Sequence, residues 1–359
     1  MEKSGRIYQI DLFRFIAALS VVLYHYMFRG YAADDLSVIN YGEIGDHFKY
    51  GYLGVDLFFI ISGFVITLSI KNSSLIKFII SRITRLYPVY WIGVLLSFIV
   101  MISVGGSRYN VDLKQALINL TMFQNYLGVE SVDNVYWSLF VEMKFYFLIG
   151  LFLILNKFKK INLDYLIVSW LLFSIVYGLF SDLAFIKLMN SIFILYWSSY
   201  FIAGMTFYRI FQTGFKIKYA VILITCLFIS SFHAIGRIEG LKTHYNTSYS
   251  EYTIVCIISL FYLLMFLVSI GKLKTINSSK LIKIGMLTYP LYLIHQNIGY
   301  IIFNNLNEYM NKYIILIATV ILMIILSYII SNKIEVKINR VLKNKLLNLI
   351  GEKREKALF

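Results

Sequence analysis

The chain has 359 residues, 59% of them apolar and only 15% charged, and carries a net charge of +15. A mean hydropathy of +0.72 excludes an ordinary water-soluble domain, in which about a quarter of the residues are charged. What remains is a polytopic membrane protein. The basic excess does not imply a nucleic-acid partner, because the lysines and arginines are dispersed among short connecting segments, where anionic lipid headgroups account for them.

Apolar runs of about 20 residues are long enough to cross the hydrocarbon core. They predict an all-α bundle of about ten transmembrane helices, at residues 9–29, 51–70, 86–105, 136–155, 163–180, 190–208, 219–234, 252–270, 284–303 and 313–331. Lys and Arg are retained on the cytoplasmic side of such helices. With the N-terminus inside, the inner segments carry 24 of them and the outer segments 8, counting Arg29 at the outer end of the first span, while Arg14 and Lys144 fall within spans. Acidic residues run the other way, 11 of 19 lying outside, so both N- and C-termini are expected in the cytoplasm. Residues 1–331 read as one membrane domain and 332–359 as a basic cytoplasmic tail whose apolar residues, at helical spacing, place it along the inner surface. The N-terminus lacks a small-residue cleavage site after a short apolar core and its first span holds an arginine, so it is not expected to be a cleavable signal peptide. Cys226 and Cys256 both fall inside predicted helices and read as small core residues; neither a disulfide nor a metal site is suggested.

Ionisable groups inside a bilayer are costly and face a cavity or a partner, so each is a candidate functional residue. The first span, "DLFRFIAALSVVLYH", holds Arg14 about 8 Å in from its inner end and His25 about 6 Å from its outer end. Eleven residues at about 100° each bring the two to within roughly 20° of one helix face, about 16 Å apart along it. The second, "GYLGVDLFFIISGF", puts Asp56 about 8 Å below the outer surface, and Gly51, Gly54 and Gly63 are most simply explained by close helix packing.

"SRITRLYPVYW" precedes and opens the third span. Arg82 and Arg85, three apart, are neighbours on a helix, and guanidinium forks match phosphate oxygens; they equally suit inner-rim anchoring. Pro88 fits the first turn of that span. Gln124, Asn125 and Tyr126 form a loop or contact a polar acceptor, and Tyr136 and Trp137 read as aromatic-belt residues. Glu142 in "VYWSLFVEMKFYF" lies about 9 Å deep, and Lys144, two residues on, does not share its face. His295 in "TYPLYLIHQN" follows Pro290, which is expected to kink the ninth span. His25, Asp56, Glu142 and His295 thus converge, from four helices, on the outer half of the membrane.

Five segments in this order, "DLFRFIAALSVVLYH", "GYLGVDLFFIISGFVI", "SRITRLYPVYW", "YWSLFVEMKFY" and "LTYPLYLIH", resemble the successive motifs of the integral-membrane acyltransferase family 3, whose members acylate sugars of O-antigens, exopolysaccharides, Nod factors and some antibiotics. The resemblance implies an essential histidine at His25, a first-span arginine at Arg14, an RxxR pair at Arg82 and Arg85, motif acids at Asp56 and Glu142, and a late histidine at His295. It also implies an acyl-CoA donor, with acetyl-CoA the foremost, no bound cofactor, a lipid-linked or surface glycan acceptor such as O-antigen, and a place in the bacterial inner membrane. The chain ends about 28 residues after the tenth span, so the appended hydrolase-like domain of some members is not expected.

On this basis the arginines hold the donor's phosphates and a neutral His25 deprotonates a sugar hydroxyl or carries the acyl group transiently, with Asp56 or Glu142 orienting the imidazole. His295, Tyr136, Trp137 and Asn125 are expected as acceptor-side or supporting polar residues. The competing expectation is a proton-coupled sugar-lipid transporter or flippase, in which the buried acids and histidines form a relay; a polysaccharide polymerase would carry a larger outer loop than any found here.

Overall fold

The structure is a computed structural model, and it describes residues 7–349 apart from 72, 160, 277 and 279. Among the described residues the regular structure is entirely helical. In chain order the main helices are α1 (Tyr8–Ala32), α2 (Glu43–Ile70), α3 (Leu75–Val104), α4 (Asn134–Lys159), α5 (Leu163–Phe180), α6 (Ala184–Phe193), α7 (Leu195–Thr213), α8 (Ile217–Tyr245), α9 (Glu251–Ser269), α10 (Lys280–Ile294), α11 (Gln296–Leu306) and α12 (Lys312–Leu349). Eight of them are long and apolar enough to cross a membrane, or nine spans in all if α6 and α7, bent by 41° across Ile194, count as one.

Two departures from the expected ten spans have local causes. The ninth, expected at 284–303, is two helices, α10 and α11, of 15 and 11 residues that meet at His295. Pro290 lies inside α10, so the carbonyl of Met286, four residues before it, has no helical N–H to accept. That carbonyl instead accepts from the Ser331 hydroxyl of α12, at 3.0 Å. The third is longer than expected: α3 starts at Leu75, where Ser74 Oγ accepts from the Lys77 amide. Pro88 therefore lies well inside the helix rather than in its first turn. The segment carrying Arg82 and Arg85 is helical too.

The chain forms two compact units, the first comprising residues up to Lys71 together with Ser138–Gly285, the second the stretch from there to Trp137 together with Met286 onward. In the first unit α7 is central: thirteen of its nineteen residues are buried, against α2, α5, α8 and α9. Lipid provides no hydrophobic drive for helix pairing, so contact requires small residues that let backbones approach. Gly63 of α2 and Gly204 of α7 meet this way: a Cβ on Gly204 would overlap the Ile60 carbonyl oxygen, and one on Gly63 that of Phe201. Gly51 and Gly54 face the Ser20 and Ala17 carbonyls of α1 in the same manner. Phe145, Trp170 and Phe201 stack beside the crossing and fill the core. Gly204→Ala should cost about 3 kcal/mol, and Gly204→Leu should prevent accumulation of folded protein; the thermal midpoint and size-exclusion profile of the detergent-solubilised chain measure both.

In the second unit α3 packs against α11 and the C-terminal portion of α12, Val336–Leu349. The latter continues the last span through a π-helical turn at Ile330–Glu335, so the expected tail, where described, is helical and leans on α3, while residues 350–359 lie outside the described residues. Ile338, Val341 and Leu349 remain exposed on it. The N-terminus of α11 is capped from a distance, Asp133 Oδ2 accepting from the Asn297 amide at 3.1 Å while Asn297 Nδ2 donates to the Val132 carbonyl. Of the two cysteines, Cys226 is fully buried as expected, whereas Cys256 is exposed and is not a core residue.

Candidate active site

Helix α1 is regular from Tyr8 to Tyr24, so Arg14 and His25 keep the common face that their spacing predicts. At His25 the helix widens into a π turn, His25–Arg29, with the Gly30 amide reaching back to the His25 carbonyl. Such turns recur at functional sites because they aim a side chain that a regular helix would direct elsewhere. Only 8% of His25 is exposed. Its Nδ1 lies 2.8 Å from the Val21 carbonyl oxygen. A carbonyl only accepts, so Nδ1 carries the hydrogen and the neutral ring has its basic lone pair on Nε2. Arg14 is half-buried on the same helix.

Asp56, in the first turn of the apolar stretch of α2, has no exposed surface. Arg237 pairs with it bidentately, Nη1 to Oδ1 at 3.2 Å and Nη2 to Oδ2 at 2.5 Å, and Tyr200 Oη reaches Oδ2 at 3.1 Å. The guanidinium is held between the rings of Trp197, 5.0 Å away, and Tyr52, 5.3 Å away. Arg237 was not a sequence candidate: it stands where the two helical segments of α8 join, just past the predicted seventh span, and was counted with the outer connectors. The available signal was Asp56 itself, since a carboxylate at that depth requires a cation.

Glu142 Oε1 accepts from Ser62 Oγ at 2.6 Å and Tyr146 Oη at 2.7 Å, joining α4 to α2. Lys144 turns away, its ammonium lying over the Phe140 ring at 4.5 Å.

Around Tyr24, next to His25, tyrosines accumulate. Tyr24 and His25 rings are 5.0 Å apart, Tyr24 and Tyr52 5.8 Å, and Tyr52 and Tyr249 6.4 Å. The Tyr24 and Tyr245 hydroxyls are 2.8 Å apart. Tyr249 lies in the connection between α8 and α9, where burial pushes its phenol above the ordinary tyrosine range and keeps the hydroxyl protonated.

In the second unit, Arg82 and Arg85 occupy adjacent positions on α3, both half-buried; Arg82 Nη2 donates to Ser81 Oγ at 2.9 Å. His295, fully buried at the α10–α11 break, has Nδ1 2.8 Å from the Tyr292 carbonyl oxygen and 3.1 Å from that of Leu291, which fixes the same tautomer as in His25. Tyr136 is fully buried, with its ring 5.1 Å from Tyr90, and so is not a belt aromatic; Trp137 is 38% exposed and fits that description. Asn125 is exposed within a short 3-10 turn, Gln124–Leu127, whose Gln124 is buried and donates to Ser131 Oγ.

The first unit thus holds a buried, tautomer-fixed histidine at a widened turn of α1 and, on α2, which packs against it, a fully buried and ion-paired aspartate. An acyltransferase-domain profile matches residues 7–332, and the chain belongs to the acyltransferase family 3. It is similar to nodulation protein 10 of Rhizobium leguminosarum bv. viciae, 25% identical over 178 residues (44% of this chain, 47% of the relative). It is also similar to an uncharacterized protein of Haemophilus influenzae, 32% over 153 residues (37% and 62%), and to the exopolysaccharide production protein ExoZ of Rhizobium meliloti, 42% over 53 residues (14% and 17%). In each case the match spans less than two thirds of the relative's own length. No solved structure matches the chain.

Proposed function

We propose that the protein is a membrane-bound O-acyltransferase that moves an acyl group, acetyl in the first instance, from a cytosolic acyl-CoA to a hydroxyl of a surface-glycan sugar such as that of an O-antigen. The bacterial inner membrane is the proposed location, with both termini in the cytoplasm. The observation that carries the reading is the state of His25: buried, at a π turn, with its hydrogen held on Nδ1 and its lone pair on Nε2. Family membership over residues 7–332 supports it.

In the proposed reaction His25 Nε2 takes the proton of the sugar hydroxyl as its oxygen attacks the thioester carbonyl carbon. The tetrahedral adduct collapses with cleavage of the C–S bond, and the imidazolium returns the proton to the departing thiolate. The Val21 carbonyl holds the tautomer through both steps, a task that the acid of a hydrolase triad performs elsewhere. Asp56 and Glu142 are assigned positioning roles, the first through Arg237 and Tyr200, the second through Ser62 and Tyr146. An Asp56 already paired with a guanidinium is a poor proton carrier, which weighs against a transport relay. His295 is proposed as a second, supporting imidazole, with Tyr136, Trp137 and Asn125 in lesser acceptor-side roles.

Arg14, Arg82 and Arg85 are proposed to bind the phosphates of the donor. Arg82→Ala and Arg85→Ala should each raise KM for acetyl-CoA about tenfold or more, the loss of one charge-assisted contact, with kcat little changed. The deficit should shrink as salt rises and screens the wild-type attraction. Steady-state kinetics at two ionic strengths measure it. The function as a whole is tested by mass spectrometry of surface glycans from cells with and without the protein; identical acylation in the two would overturn it.

A further inference from the structure

Tyr52 Oη, Tyr249 Oη and Arg237 Nε, all in the first unit, are buried polar atoms with no hydrogen-bond partner. Each such group costs about 1–3 kcal/mol if nothing satisfies it, and native proteins keep few of them. These three are not scattered. Tyr52 lies against the Arg237 guanidinium and, edge-on, against Tyr249; it also touches Tyr24, whose ring is 5.0 Å from the His25 imidazole. Tyr249 is itself only 6% exposed.

We propose that Tyr52, Tyr249 and Arg237 form the hydrogen-bonding wall that holds the acyl acceptor, a neutral saccharide, beside His25. The chemistry selects that ligand class. Two phenolic hydroxyls that donate or accept, next to one N–H that only donates, match vicinal sugar hydroxyls, which do both. An anionic ligand fits poorly, because Asp56 already occupies both terminal nitrogens of the guanidinium and cancels its charge. An acyl chain would satisfy none of the three atoms. Describing the saccharide as acceptor rests on the proposed transfer reaction; its binding does not.

The test uses the full-length protein in detergent and a panel of methyl hexopyranosides and methyl N-acetylhexosaminides, read by thermal midpoint and by tryptophan fluorescence, since Trp197 packs on Arg237. At least one glycoside should bind the wild type. The double variant Tyr52→Phe, Tyr249→Phe should bind it between about tenfold and hundredfold more weakly. Its unliganded midpoint should be unchanged or higher, because the variant removes two hydroxyls that satisfy nothing in the free protein. Failure of every glycoside to bind the wild type, equal affinity in the double variant, or a lower unliganded midpoint, which would mark the hydroxyls as partners of structural water only, would each overturn the proposal. If glycosides bind as expected but acetyl-CoA is never consumed, the transfer reaction is wrong and the saccharide site stands.

Discussion

Replacing His25 by Ala should abolish acyl transfer while leaving the protein folded in the membrane. The expected loss is about 10²- to 10⁴-fold, the range contributed by a positioned proton-transfer group, or total loss if the imidazole carries the acyl group. Folding should barely respond. The hydrogen bond from the side chain to the backbone of its own helix, at 2.8 Å, contributes about 1 kcal/mol. Purified variant and wild type should therefore give superimposable size-exclusion profiles and midpoints within a few degrees, while acetyl-CoA consumption and glycan modification disappear. Retention of full modification by the variant would reject the catalytic assignment. His25→Gln supplies a finer control, because an amide can hydrogen-bond but cannot take up a proton at neutral pH.

The second large effect concerns stability. Asp56→Asn should destabilise the protein by about 3–5 kcal/mol, because it leaves the Arg237 charge desolvated with no counter-charge. Arg237→Gln should cost a similar amount by stranding Asp56, which has no exposed surface at all. The double variant Asp56→Leu, Arg237→Met should be much closer to wild type than either single change, since replacing both members of a buried ion pair by apolar groups of similar size is often nearly neutral. A double-mutant cycle on thermal or denaturant midpoints gives the coupling. Additive single effects would mean that the pair does not act as a unit. Activity should not return with stability in the double variant, because Arg237 Nε is assigned to the acceptor.

Much of this was legible in the sequence because lipid penalises the residues that matter. An arginine and a histidine eleven apart on one helix, an aspartate and a glutamate within apolar runs, and a histidine after a proline are all costly in hydrocarbon, and the motif order gave them a common family. The paired glycines of α2 were legible for the same reason, although Gly204, their counterpart on α7, was not singled out. What escaped was pairing over long sequence separation. Arg237 lies 181 residues from Asp56, and nothing in either local segment names the other. A kink in the ninth span was expected from Pro290, but not its full separation into two helices at His295, because hydropathy averages across a helix boundary when both halves are apolar; the effect of Pro290 is also felt through Ser331 on another helix. Tyr136 and Trp137 were both read as belt aromatics, yet consecutive residues on a helix point about 100° apart, and one is buried while the other is not.

The contact between His25 and Val21 has an evolutionary corollary. The imidazole takes its orientation from a main-chain oxygen, so the side chain at position 21 contributes no chemistry and can drift among any residues that tolerate the local packing. A lineage of such enzymes could lose every acid near the histidine and still present the same nitrogen to its substrate. What it could not survive is an unwound turn: an insertion between 21 and 25 would discard the donor geometry even with every polar side chain intact.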